Sequence, residues 1–243
     1  GLLTNPISAI YTPFSFILLY EVYLLVYHIP KSTSTYAAKQ YEIITLIVIR
    51  RIFKDLANLE LSGNWFQDKY DLQFTYDILT TVILFALIYL FHYLKKKEKK
   101  SLVKFSDLDS SIKKFINRKR FLAIILVPTV VLMAFYSLGI WLLESIQSNG
   151  EYSGVTRLSD INAIFFDEFF MLLILTDVLL LLFSFFNTSK FHLVIRNSAF
   201  VISTILIRLS FGVEGLLNNL LIIVAVLYGV LVLAINRKYI LNL

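Results

Sequence analysis

Apolar runs of about twenty residues, set apart by short polar clusters, recur along the chain. A helix crossing the roughly 30 Å hydrocarbon core of a bilayer needs about 20 apolar residues. Seven windows have that character: about Ala9–Tyr27, Ala38–Leu59, Phe74–Leu94, Phe121–Leu143, Ile164–Phe186, Val194–Phe211 and Leu216–Ile235. Each reads as a helix, because backbone groups in lipid must be satisfied within the segment or in a closed barrel, and strand-like alternation is absent. The predicted fold class is all-α: a polytopic helical membrane protein of about seven transmembrane helices, with residues 1–243 as one transmembrane domain.

Charge orders these windows. Residues 95–120 hold eleven Lys or Arg against three acids, a net +8, whereas the whole chain carries only +6. The positive-inside rule places this loop in the cytoplasm. Alternating from it, seventeen Lys or Arg fall inside, and the outside loops hold only Lys69 and Arg157. The topology expected is N-terminus out and C-terminus in. Within the loop, Leu102, Phe105, Leu108, Ile112, Phe115 and Ile116 recur at near-helical spacing. An amphipathic helix on an anionic leaflet fits that stripe, with Lys95, Lys96, Lys97, Lys104, Phe105, Lys113 and Lys114 as the lipid-surface contacts. A solvated linker that only sets topology is the plainer reading. The partners expected are therefore the bilayer and anionic headgroups. The cytoplasmic face is also a candidate dock for a protein partner or a second copy. Nucleic acid is not expected, since the basic cluster abuts membrane spans and has no fold of its own.

The second window breaks the pattern. Its stretch IVIRRIFKDL puts Arg50, Arg51, Lys54 and Asp55 inside an otherwise apolar helix. Ionised side chains at such depth are costly and must face a bundle interior or a water-filled cavity. Counting depth along each window gives two layers. Arg50 and Arg51 lie near the midplane with Glu21 and Asp177, and Lys54 and Asp55 lie further out with Asp77 and Arg208. Each layer balances its charge, and Arg51 is expected to pair with Asp177. Asp167 and Glu168 are candidate entrance residues, or an ordinary solvated helix end. The bland reading of the cluster is a set of structural ion pairs; the functional one is a pathway or binding site for an ion, a proton or an anionic group.

Smaller features add less. Gly212 and Gly215 in SFGVEG (210–215) predict a tight hairpin between the sixth and seventh spans. Tyr11, Tyr27, Tyr41 and Tyr93 fit an aromatic belt. His28, His92 and His192 fall at the cytoplasmic interface and form no local ligand pair, so no metal or cofactor is expected. Laying Glu42–Phe53 over Glu168–Leu179 suggests a faint inverted repeat of the kind secondary transporters use.

Composition agrees with lipid as the solvent: 58% of residues are hydrophobic, with only eight glycines and four prolines. A soluble domain averages about 45–50% apolar even with glycine counted. Cysteine is absent, which excludes disulfides and thiolate metal sites. No GxSxG, HExxH or P-loop occurs. The sequence thus points to an integral, multi-pass protein of the cytoplasmic membrane, a channel or transporter for an ion or small solute. The alternative is a non-enzymatic membrane subunit with structural salt bridges and a partner-docking cytoplasmic face. A membrane enzyme using Asp77, Glu168 or Asp177 on a lipid-linked substrate is the third reading.

Overall fold

The structure is a computed structural model that describes residues 20, 23–29, 31–56, 69–99, 117, 120–122, 124–126, 128–129, 132, 136, 171–172, 174–183 and 191–241. Nearly all of these are helical, and helical residues fall in each of the seven apolar windows. Four long helices are described: α1 (Thr33–Leu56), α2 (Lys69–Lys99), α3 (Phe191–Ser210) and α4 (Leu216–Leu241). Among the described residues, three helices are long and apolar enough to cross a membrane: Asp71–Lys96, Phe191–Ser210 and Leu216–Ile240. A shorter apolar helix spans Ile174–Phe183.

The long helices close a ring. α1 packs on α2, α2 on α4, α4 on α3, and α3 touches α1. The register follows from paired residues. Tyr41 meets Phe91 and, ten residues further along α1, Arg51 meets Asp77, so α1 and α2 are antiparallel. Ser203 donates to the Ala225 carbonyl and His192 lies against Tyr239, so α3 and α4 are antiparallel as well. Asn219 reaches Asp77, and Gly229 reaches the Tyr41 ring packed on Phe91, so α2 and α4 run the same way.

Each helix buries a stripe spaced as helical faces require. On α1 the stripe is Ala37, Tyr41, Ile44 and Val48; on α4 it includes Ile222, Val226, Val230 and Leu233. Phe91 meets Tyr41 edge-on at 5.3 Å and Phe200 at 5.8 Å, joining α1, α2 and α3. Leu126 and Leu180, from the fourth and fifth windows, belong to the same core. The outward faces are also apolar. α2 exposes Leu79, Val82, Phe85 and Tyr89, and α4 exposes Leu220, Val224, Leu231 and Ile235. Contiguous apolar exposure on that scale fits lipid rather than water. α1 is buried on several sides, and Arg50 and Asp55 lie within that burial.

Local signals set the helix ends. Ser32 caps α1, its Oγ accepting the Thr35 amide at 3.3 Å. The hairpin expected at 210–215 is present. Phe211, Gly212 and Val213 donate back to the carbonyls of Arg208, Leu209 and Ser210. Gly215 then adopts φ +69°, a conformation that favours glycine, before α4 begins. One tyrosine departs from expectation. Tyr27 and Tyr93 are exposed as belt residues would be, but Tyr41 is 1% exposed and lies in the core. Its position on the buried stripe of α1 outweighs its nearness to a helix end.

Candidate functional site

The buried stripe of α1 continues past Val48 at the same spacing to Arg51 and Asp55, so the helix that builds the core also delivers a guanidinium to the bundle. Arg51 meets Asp77 of α2 through two N–H groups. Nη2 donates to Asp77 Oδ1 at 2.6 Å, and Nε donates to Oδ2. Nη1 donates to Asn218 Oδ1 and Nη2 to Asn219 Oδ1, both at 2.7 Å, on the first turn of α4. Four of the five guanidinium donors are therefore used. Asp77 is fully buried and also accepts from Gln73 at 2.8 Å and Asn219 at 2.7 Å. Asn219 reaches Thr80 Oγ1 at 2.9 Å, and Asn218 donates to the Ser210 carbonyl at the end of α3. One arginine thereby ties four helices. The fork geometry is what Arg, and not Lys, provides.

A second polar layer lies eleven residues back along α1, about 16 Å of helix rise. Gln40 donates through Nε2 to Asp177 Oδ2 at 3.0 Å, and its Oε1 accepts from Thr204 Oγ1 at 3.0 Å. Asp177 is 5% exposed and Tyr36 2%. A cavity with about 20 Å³ open to the centre of a water molecule adjoins them, lined by Tyr36, Gln40, Asp177, Leu180, Asn197 and Phe200. That is room for about one water. Beyond it, near the lysine-bearing end of α2, Glu42 bridges Lys39 and His92, the latter at 2.8 Å.

The expected Arg51–Asp177 pair is therefore replaced by Arg51–Asp77 and Gln40–Asp177. Depth counted from window edges misplaced both carboxylates, because it ignored where each helix sits along the bundle. Arg50 and Asp55 are buried on α1, and Arg208 lies in the last turn of α3. Lys54 lies within α1. Glu21, Asp167, Glu168, Lys104, Phe105, Lys113 and Lys114 lie outside the described residues. Lys95, Lys96 and Lys97 continue α2. Charge reasoning missed the neutral partners Gln40, Gln73, Thr80, Asn218, Asn219 and Thr204. Their signal is positional: each is a polar residue where a helix turns inward.

Among the described residues, no group of three or more His, Asp or Glu is placed to hold a metal ion. No family model, no curated protein and no solved structure matches the chain, so the site is read from its own geometry.

Proposed function

We propose that the protein is a multi-pass membrane protein that moves a small ion or solute through the polar interior of its bundle, with Asp177 rather than Arg51 at the working position. The coarse part has direct support in three helices, among the described residues, long and apolar enough to span a bilayer. The finer part is carried by one observation: the buried Asp177 carboxylate adjoins a cavity, whereas Arg51 and Asp77 are enclosed by bonds to each other and to α4. Buried ionisable groups in membrane helices mark ion pathways by default, and one beside free volume can exchange its partner. In this proposal the basic residues of 95–120 face the cytoplasm and hold anionic headgroups, and the membrane is the plasma membrane. The activity is transport, not catalysis. Purified protein reconstituted in liposomes should pass a cation flux that Asp177→Asn abolishes. A wild-type flux no greater than that of empty liposomes, across a panel of ions, would sink the reading.

A second reading has its own observation. The Arg51 network consumes nearly all of its donors and acceptors within the bundle, as a purely structural clamp would. A non-enzymatic membrane subunit needs nothing more. Under it, Asp177→Asn would leave every flux unchanged, and the protein would co-purify with a partner bound to its cytoplasmic face.

A further inference from the structure

We infer that the seam between α3 and α4, at the lysine-bearing end of the bundle, binds a phosphate ester that also carries hydroxyl groups, as the headgroup of an anionic lipid can. The site requires the bundle to lie in a membrane but not to transport anything.

Asn236 of α4 is a buried amide with nothing to bond. It is 5% exposed, and neither its Oδ1 nor its Nδ2 has a hydrogen-bond partner among the described residues. A buried donor or acceptor left unmade costs the full desolvation of that group. The other end of the same helix face is provided for. Asn218 stands eighteen residues earlier, five turns back on that face, and it donates to the Ser210 carbonyl and accepts from Arg51.

Three contacts fix how α3 and α4 face each other: Asn218 on Ser210, Ser203 on the Ala225 carbonyl, and the His192 ring 5.5 Å from that of Tyr239. The facing stripe of α3 is therefore His192, Arg196, Ala199, Ser203 and Ser210, and that of α4 runs from Asn218 through Ala225 to Asn236 and Tyr239. Arg196 lies one turn in from His192, and Asn236 one turn in from Tyr239. The stripes bring a guanidinium and an unsatisfied amide to one level of the seam. Ile195 and Ile235 beside them are exposed, so the seam borders on lipid. Arg237 and Lys238 follow at once, which is where the headgroups of a leaflet lie.

The charges at this end select an anion. Lys95, Lys96, Arg196, Arg237 and Lys238 stand against Glu98, against Glu42, which Lys39 and His92 hold, and against Asp177, which Gln40 holds. A guanidinium carries five N–H donors, serves several acceptors at once and suits phosphate geometry. The amide narrows the ligand further. Its Nδ2 can donate to a phosphate oxygen, but its Oδ1 needs a donor, which a bare phosphodiester lacks. An ammonium headgroup would supply one and cancel the phosphate charge; a hydroxyl supplies one and leaves the ligand anionic. Basic pockets between membrane helices recognise such headgroups.

The test uses the intact detergent-solubilised protein, stripped of lipid, with phosphatidylglycerol or phosphatidylcholine returned in mixed micelles at constant ionic strength. Native mass spectrometry should retain one phosphatidylglycerol. Thermal unfolding should show a rise in Tm of a few degrees that saturates, as a ligand of the folded state alone must give. Phosphatidylcholine should do neither. Asn236→Leu should lose the lipid-specific rise, yet keep or raise the Tm of the lipid-free protein, because it removes an amide that nothing satisfies. Arg196→Gln should weaken the rise, and Lys238→Gln, on an exposed side chain, should keep it. Equal responses to the two lipids, or a rise that survives Asn236→Leu, overturn the assignment. A lipid-free Tm several degrees lower in Asn236→Leu also overturns it, by showing that the amide is bonded within the protein. If Asn236→Leu fails to fold, the retained lipid and the Tm rise of Asn236→Ala decide the matter in its place. Glycerol 3-phosphate raising Tm where phosphatidylglycerol does not would keep the phosphate site and make its ligand a soluble one. Lipid binding without ion flux in liposomes would leave the site standing and remove only the transport reading.

Discussion

Removing the Arg51 side chain is the most direct probe of how the bundle holds its register. Arg51→Met keeps the aliphatic stem and deletes the guanidinium. Asp77, at 0% exposure, then loses two of its four side-chain hydrogen bonds among the described residues, and with them the Arg51 counter-charge. Breaking one partner of a buried ion pair costs about 3–5 kcal/mol. The Arg51 side chain is 28% exposed, so the lower end of that range applies. Asp77→Asn strands the guanidinium less completely, because Asn218 and Asn219 still accept from it. The double variant leaves no charge stranded, so its loss should fall short of the sum by about 2 kcal/mol, within the coupling range of contacting residues. Reversible unfolding in mixed micelles measures all three variants against the parent. A matched cycle between Arg51 and Asp177 supplies the contrast. Asp177 is held by Gln40, about 16 Å of helix rise from Arg51 on α1, so the two losses should add within about 0.5 kcal/mol. Coupling between Arg51 and Asp177, or additivity between Arg51 and Asp77, would refute the assignment of layers.

Other outcomes follow from single contacts. Gly229→Ala would place a Cβ on the Tyr41 hydroxyl and 2.8 Å from its Cζ, which should cost about 1–3 kcal/mol by overpacking; Tyr41→Phe in the same chain should recover part of it, and an unchanged melting curve for Gly229→Ala would contradict the close packing. His92→Ala removes a contact to Glu42 on a side chain 42% exposed, so its stability loss should stay under about 1 kcal/mol in the same unfolding assay. Single cysteines at Glu214 and Lys96 sit at opposite ends of the bundle, so an impermeant label applied to oriented vesicles should reach only one of them; labelling of both from one side would exclude a membrane normal along the helices.

Period and length were enough to read the helices. Windows of apolar residues predicted α2, α3 and α4, because a helix that faces lipid must be apolar almost all round and leaves an unambiguous run. The SFGVEG turn was legible for a similarly local reason, the glycines that punctuate it. The polar interior was harder. Arg51 and Asp77 stood out as charges in apolar surroundings, yet their pairing depends on how far α1 slides along α2, and no local rule sets that offset. Asp177 was assigned to Arg51 on depth and sign alone, and an uncharged amide took its place. The role of Asn218 and Asn219 as acceptors for Arg51 follows from the inward face of α4, which becomes visible only when Ile222 and Val226 are known to be buried.

The shared direction of α2 and α4 constrains the rest of the chain by parity. α3 runs against both, so Lys99 and Phe191 lie at the same end of the bundle, as do Lys96, Arg196 and Lys238. In a membrane laid across these helices, a chain that leaves and re-enters at one face has crossed the bilayer an even number of times in between. A single crossing would carry Lys96 and Arg196 to opposite faces of the bilayer, and the packing of α3 on α4 and of α4 on α2 keeps them on one.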